Sequence, residues 1–352
     1  MSISRTLLRC LSVLLLLTCC HAWGQSTIVI KFSHVVANDT PKAKAALRFK
    51  ALAEAATKGR VRVEVYPNSS LYKDKEELEA LQLGAVQMLA PSLAKFAPLG
   101  IKEFEVFDVP YIFPDKATLY RVTQGPVGQN LLQKLETKGI VGLAFWDNGF
   151  KQMSSNKPIR VPSDMRGQKM RIQPSKVIDL QMRALGAVPM SLAFSEVFQA
   201  LKTGLVDGTE NPISNLYTQH MHEVQKYLTL TNHAYLGYAV IVNKKFWDDL
   251  PGDIRDELET AMKSATIYAN TIAEQENEAA LVAVRRSGKT LVVSLSAKDL
   301  LAWKAALLPV QKNMAGRISA DLIARVNLEA ALAEKNESAA CCGAAIIAFF
   351  DR

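Results

Sequence analysis

The sequence predicts an α/β protein built as two lobes and braced by one long helix. Three observations carry that expectation. Strand-like and helix-like segments alternate with short connections from residue 27 onward. The chain of 352 residues is longer than a single hydrophobic core usually organises, so two domains are expected. Beyond Pro251, the run GDIRDELETAMKSATIYANTIAEQENEAALVAVRRSG reads as one helix over 252–287. At roughly 1.5 Å per residue it would exceed about 50 Å, too long for one small domain.

The chain opens MSISRTLLRCLSVLLLLTCCHAWGQ, in which Arg5 and Arg9 precede an apolar core from Leu11 to Cys19. Ala22-Trp23-Gly24 supplies small residues for cleavage before Gln25, so residues 1–24 read as a signal peptide. The apolar core is too short to cross a bilayer as a stable helix. A lipid anchor at Cys19 or Cys20 is a competing reading, weakened by Thr18 and Cys19 where a small residue is usual.

TIVIKFSHVV (27–36) is β-branched and apolar, and leads through ANDTP to a helix, with Thr40 and Pro41 as cap and first-turn residue. Ala46, Phe49, Leu52, Ala53 and Ala56 recur at helical spacing before Gly59. RVRVEVYP (60–67) alternates like a strand, and KDKEELEALQLGA (73–85) returns to helix. VQMLAPS (86–92), the helix 128–139 and the strand IVGLAFW (140–146) continue the alternation up to Asp147 and Asn148. A second cycle follows: the strand QKMRIQ, the helices 176–186 and 194–204 (the latter capped by Ser195), and a long strand 234–247 able to cross between domains. The expected lobes are 25–148, joined by part of 240–325, and 149–239. Residues 326–352 form an atypical tail, uncharged from Ala339 to Phe350.

Composition narrows the function. The formal charge of +8 falls to +6 once Arg5 and Arg9 are removed, with no long basic block. That favours an anionic small ligand or a solvated surface over nucleic acid. Cys341 and Cys342 are the only cysteines after the leader and are adjacent, so packing rather than cross-linking must hold the fold. No G-x-S-x-G, phosphate-binding loop, H-E-x-x-H or dinucleotide glycine turn occurs. His220 and His222 stand two apart and do not make a metal site, and no cofactor motif is present.

In open α/β sheets ligands gather beyond the carboxyl ends of strands. The polar residues expected there are Ser33, His34, Ser92, Lys95, Asn148, Lys151, Gln173, Asn211 and Tyr238, together with Arg171 inside KMRIQPS. This set is rich in cations and neutral donors and poor in acids. A planar guanidinium fork matches a carboxylate, and leaving it unpaired in a cleft is costly. Read alone, however, Arg171 also fits a rim residue in a surface salt bridge, Asn211 a turn before Pro212, and Lys95 and Lys151 solvated surface. His34 could bond a backbone end. A two-lobed solute binder is the leading reading, ahead of a secreted enzyme.

The chain resembles the periplasmic solute receptors of TRAP transporters, of the C4-dicarboxylate-binding (DctP) type. The likeness rests on FSHVVANDTPKAKAALRFK (32–50), on VEVYPNSSLYKDKEELEALQLGAVQMLAPSLAKFAPLG (63–100) and on FEVFDVPYIFPD (104–115). It continues through MRGQKMRIQPSKV (165–177), AFSEVFQALKTGLVDGTENPISNLYTQ (193–219) and HAYLGYAVIVNKKFWDDLP (233–251). Ser69, Ser70 and Ala97 are small-residue variations, and the stretch after about residue 325 departs from the family.

The resemblance implies a two-lobed periplasmic binding protein fold with hinge-linked sheets and a long helix spanning both lobes. It implies a periplasmic receptor, not an enzyme, without cofactor, and monomeric. Its ligand would be a C4-dicarboxylate, handed to the small and large membrane subunits of an ion-gradient-driven transporter. The family's selectivity arginine falls on Arg171 and its asparagine on Asn211. A lysine of the dicarboxylate subtype falls on Lys95, for the second carboxylate. His34, Asn148 and Lys151 are carried over by loop position. Other organic acids (a 2-oxo acid or a sugar acid), a sensor role and a periplasmic enzyme remain open alternatives.

Overall fold

The computed structural model describes residues 27–333; the leader 1–24 and the uncharged tail lie outside the described residues. Nine strands form the sheet: β1 (Ile28–Ser33), β2 (Val61–Tyr66), β3 (Met88–Leu89), β4 (Ile140–Ser155), β5 (Lys169–Ile172), β6 (Val188–Ser191), β7 (Gly208–Asn211), β8 (Tyr227–Asn243) and β9 (Leu291–Ser294). Their order is β2-β1-β3-β8-β4-β7-β5-β6, with β9 added to β8. The two expected half-sheets are thus one hydrogen-bonded network. β1, β2 and β3 pair in parallel on one side, and β5, β6 and β7 in parallel on the other. The antiparallel pair β4 and β8, at 16 and 17 residues, runs through both halves and joins them.

Several elements differ from the expectation for a local reason. β4 does not stop at Asp147 but continues to Ser155, absorbing register shifts at Gly142/Ala144, Asp147/Gly149 and Lys151/Met153. Bulges let one strand bend from lobe to lobe without losing its ladder. Gly149 serves this bend: its φ of 120° is open to glycine, and an added Cβ would stand 3.0 Å from Asn277 Nδ2. β8 begins at Tyr227, seven residues earlier than expected, and ends at Asn243, whose side chain accepts from Phe246 N and starts a short helix, Lys244–Asp248. Ser195 is not a cap; it lies inside a 3-10 turn, Phe194–Glu196, ahead of the helix Val197–Thr203. Thr40 caps the first helix, Pro41–Ala56, as expected, with Oγ1 accepting from Ala43 N at 3.3 Å.

The long helix Gly252–Ser287 has 36 residues, about 54 Å. Its first half (Ile254, Leu258, Ala261, Met262, Ala265, Ala269) packs with Phe32, Phe49, Trp146 and Val240 in the first lobe. Its second half (Ala280, Val284) packs with Phe194, Val197 and Leu201 in the second. Between the two halves it grips the bend of β4. Asn270 Oδ1 accepts from Asp147 N at 2.8 Å, and Asn277 Nδ2 donates to Asn148 O at 2.7 Å. Tyr120 Oη lies 3.0 Å from both Asp147 Oδ2 and the Asn270 carbonyl. No helix among the described residues is long and apolar enough to cross a membrane.

Candidate functional site between the lobes

The parallel strands of both halves aim their carboxyl ends at one place. There a small, nearly filled pocket is lined by Val35, Val36, Lys42, Asp74, Ser92, Lys95, Gln173, Phe194, Asn211, Asn215, Leu236 and Tyr238. The two halves touch across it. Gln173 Nε2 donates to Ser92 Oγ at 3.1 Å, and Asp74 accepts from the Phe194 amide. A larger groove beside the long helix is mostly apolar and carries no buried cation.

Arg171 is no rim residue. It sits on β5, between β6 and β7, and is 2% exposed. Nε and Nη2 donate to the Leu192 carbonyl at 3.1 and 2.9 Å, and the guanidinium faces the Phe194 ring at 5.7 Å. Among the described residues no carboxylate lies within 4.0 Å of it. Burial lowers its pKa, against the pull of Asp74 and Glu210. Asn211 ends β7 on the cavity wall, its Nδ2 3.4 Å from Thr209 Oγ1.

Lys95 also reaches the cavity, yet its ammonium is already enclosed by Asp74 and Glu77, both buried. The two carboxylates hold the Lys95 pKa above its ordinary value despite burial. The expectation of an acid-poor cleft is therefore corrected. Asp74 precedes the helix Glu77–Gln82 rather than ending a strand, so a survey of strand ends passes over it.

Arg171 and the remaining candidates are not among the residues that line the cavity. Lys151 Nζ donates to Glu210 Oε1 at 2.8 Å, with Asp108 Oδ1 at 3.8 Å. Glu210 Oε2 lies 2.9 Å from His233 Nε2, and His233 Nδ1 lies 2.8 Å from Thr231 Oγ1. Burial alone would raise the Glu210 pKa; Lys151 and His233 bring it down to about 2. His34 is fully enclosed, and burial, reinforced by Lys42, pushes its pKa down to about 3, so it is a neutral ring at pH 7. Asn148 is buried in the bend of β4 with neither side-chain atom hydrogen-bonded among the described residues.

The first half contributes one cation that the strand-end survey missed. Lys42, second residue of the first helix, is 1% exposed. Its Nζ donates to Ala90 O at 3.0 Å and stands 3.8 Å from the Tyr238 ring centroid. The string DTPKAK held the signal: a lysine in the first turn of a helix starting just past β1 must lie near that strand's carboxyl end.

A family model described as "Bacterial extracellular solute-binding protein, family 7" matches residues 32–317. The chain belongs to this family. Among its relatives, the C4-dicarboxylate-binding periplasmic protein DctP of Rhodobacter capsulatus is 64% identical over 307 residues, 87% of this chain and 92% of that one. A TRAP periplasmic solute-binding protein of Sulfurospirillum deleyianum, solved with bound succinate, is 44% identical with a TM-score of 0.83. That match covers 86% of this chain and 99% of the other. A similar protein of Pseudomonas aeruginosa, with bound L-malate, is 45% identical with a TM-score of 0.79, covering 81% and 99%. Family 7 proteins are receptors for solutes rather than enzymes, and the two-lobed α/β architecture is shared with these structures.

Proposed function

We propose that this protein captures a C4-dicarboxylate such as succinate, malate or fumarate between its lobes and delivers it to the membrane subunits of a TRAP transporter. The observation that carries the reading is Arg171: a fully buried guanidinium on β5, bonded only to a backbone carbonyl, two residues before Gln173 of the cavity wall. A buried cation without a carboxylate is unfavourable by several kcal/mol, and an incoming carboxylate on its free edge supplies the missing charge. Asn211 adds a neutral donor to the same carboxylate. The far carboxylate meets the cations of the first lobe. Lys151 acts one layer back, tying β4 to β7 through Glu210 rather than touching the ligand.

Closure moves residues 25–148 against 149–239 about the bends of β4 and β8, and expels water from around the acid. Each charge-assisted bond then strengthens as the local dielectric falls. Export through a leader at 1–24 puts the receptor in the periplasm. Calorimetry of the mature protein with succinate, malate and fumarate, set against monoacids and sugar acids, tests the assignment. Saturable binding of diacids with weaker binding of the others is expected; heat from sugar acids alone would sink it.

A further inference from the structure

The cavity holds two lysines of the first lobe, and they are not equivalent. Lys95 is flanked by Asp74 and Glu77, so its charge is balanced before any ligand arrives. Lys42 has no carboxylate within 4.0 Å among the described residues; its one hydrogen bond goes to a neutral carbonyl, and an aromatic face covers it. An ammonium has three donors, so two N–H groups of Lys42 are not taken by a hydrogen bond. The 16-residue helix on which it stands has no acid in its first turn, so the positive end of the helix dipole adds to the field there. Tyr238, under the ammonium, is fixed in turn by Asn215 Nδ2 at 3.4 Å and by the bridge between its strand and Ser92.

We propose that Lys42, rather than Lys95, is the anchor for the ligand's second carboxylate, and that Lys95 with Asp74 and Glu77 is a prepaired scaffold holding that wall of the cavity. The inference rests on the reading of the cleft as a diacid site with Arg171 at its other end. The two cations that lack acids then come one from each lobe, so a diacid bridges the lobes and draws them together, which a monoacid held by Arg171 alone cannot do. Burial, with Lys95 nearby, lowers the Lys42 pKa to about 7 against the pull of Glu77 and Asp74, so a carboxylate bound beside it would favour the charged ammonium. The Asp74 carboxylate beside Lys95 also repels an anion placed there, which favours the Lys42 side of the wall.

The test compares wild type, Lys42→Met, Lys42→Arg and Lys95→Met, each followed by thermal melting and by calorimetry with succinate and with butyrate, a monoacid of equal length. For Lys42→Met, succinate affinity should fall by roughly thirtyfold or more, with butyrate little changed. Its melting temperature should stay level or rise, since an apolar side chain replaces an unpaired buried charge. Lys42→Arg should recover part of the succinate affinity. Lys95→Met should instead lower the melting temperature, because it strands two buried acids. The proposal is overturned if Lys42→Met binds succinate like wild type, loses both acids alike, or melts well below wild type. If wild type itself binds no diacid, the diacid reading fails and the assignment of Lys42 falls with it. If wild type binds and only Lys42→Met is unaffected, the diacid reading survives and the Lys42 assignment alone is lost.

Discussion

Arg171 and Lys151 are both cations on neighbouring parts of one sheet, and both are at most 2% exposed. Their surroundings differ in one respect. Lys151 has Glu210 at 2.8 Å and Asp108 at 3.8 Å, whereas Arg171 has the Leu192 carbonyl and the Phe194 ring. Burial therefore does not separate a cation proposed to bind from one that builds; the missing acid does. Lys151 completes a closed network in which Glu210 and His233 are each satisfied. Arg171 is held by groups that orient the fork and leave its charge uncompensated.

The largest expected effect on binding tests the open half of this comparison. Arg171→Lys keeps the charge but loses the planar fork, and should weaken succinate at least tenfold, about 1.4 kcal/mol. Arg171→Met should abolish detectable binding. Calorimetry on variants that melt like wild type reads the difference. Unchanged affinity in Arg171→Lys would mean that Leu192 O is the real partner and the fork is structural.

How much of this was readable from sequence follows the same division. The alternation of strand and helix, the long helix 252–287 and the cap at Thr40 are local patterns, and they recur in the structure with shifted ends. The full lengths of β4 and β8 were not readable, because polar residues at the bend (Asp147, Asn148, Gly149) look like a strand end and become a bulged continuation only when the long helix satisfies them. At the site, Arg171 stood out as a lone charge between apolar strand residues, and Asn211 as a polar residue at a strand end. Lys151 also looked like a polar residue just past a strand, and is set apart by partners far away in sequence: Glu210, 59 residues on, and Asp108. Asp74 and Lys42 were missed because one lies in a loop and the other in a helical first turn, where charged residues are usually solvated. Only the tertiary fold turns them inward.

The closed half of the comparison predicts a different failure. Lys151→Met leaves Glu210 and Asp108 buried together without their shared cation, which should cost about 3–5 kcal/mol of stability. Chemical denaturation should report the loss, while the fraction still folded binds succinate with affinity far closer to wild type than Arg171→Met. A variant that keeps wild-type stability but fails to bind would erase the distinction between the two cations.

The smallest effect comes from the less well paired acid of the closed network. Lys151 makes its short bond to Glu210, so Asp108 is left with a cation at 3.8 Å and a hydrogen bond from Ser175 at 2.8 Å. Burial, only partly offset by Lys151, pushes the Asp108 pKa up to about 6 from 3.8. A carboxyl whose folded pKa is raised binds its proton more tightly in the native state. Native stability is therefore lost as pH rises from about 4 towards 6, and the penalty levels off above 6. Glu210, with its pKa lowered to about 2, has the opposite sign and is spent below about 4.5, so it adds no slope between pH 5 and 7. Asp108→Asn cannot titrate. Its stability relative to wild type should therefore rise by about 1 kcal/mol between pH 5 and pH 7, measured by denaturation at the two pH values. Parallel behaviour of the two proteins would mean that Lys151 neutralises both acids equally, and that the network is more tightly closed than its distances imply.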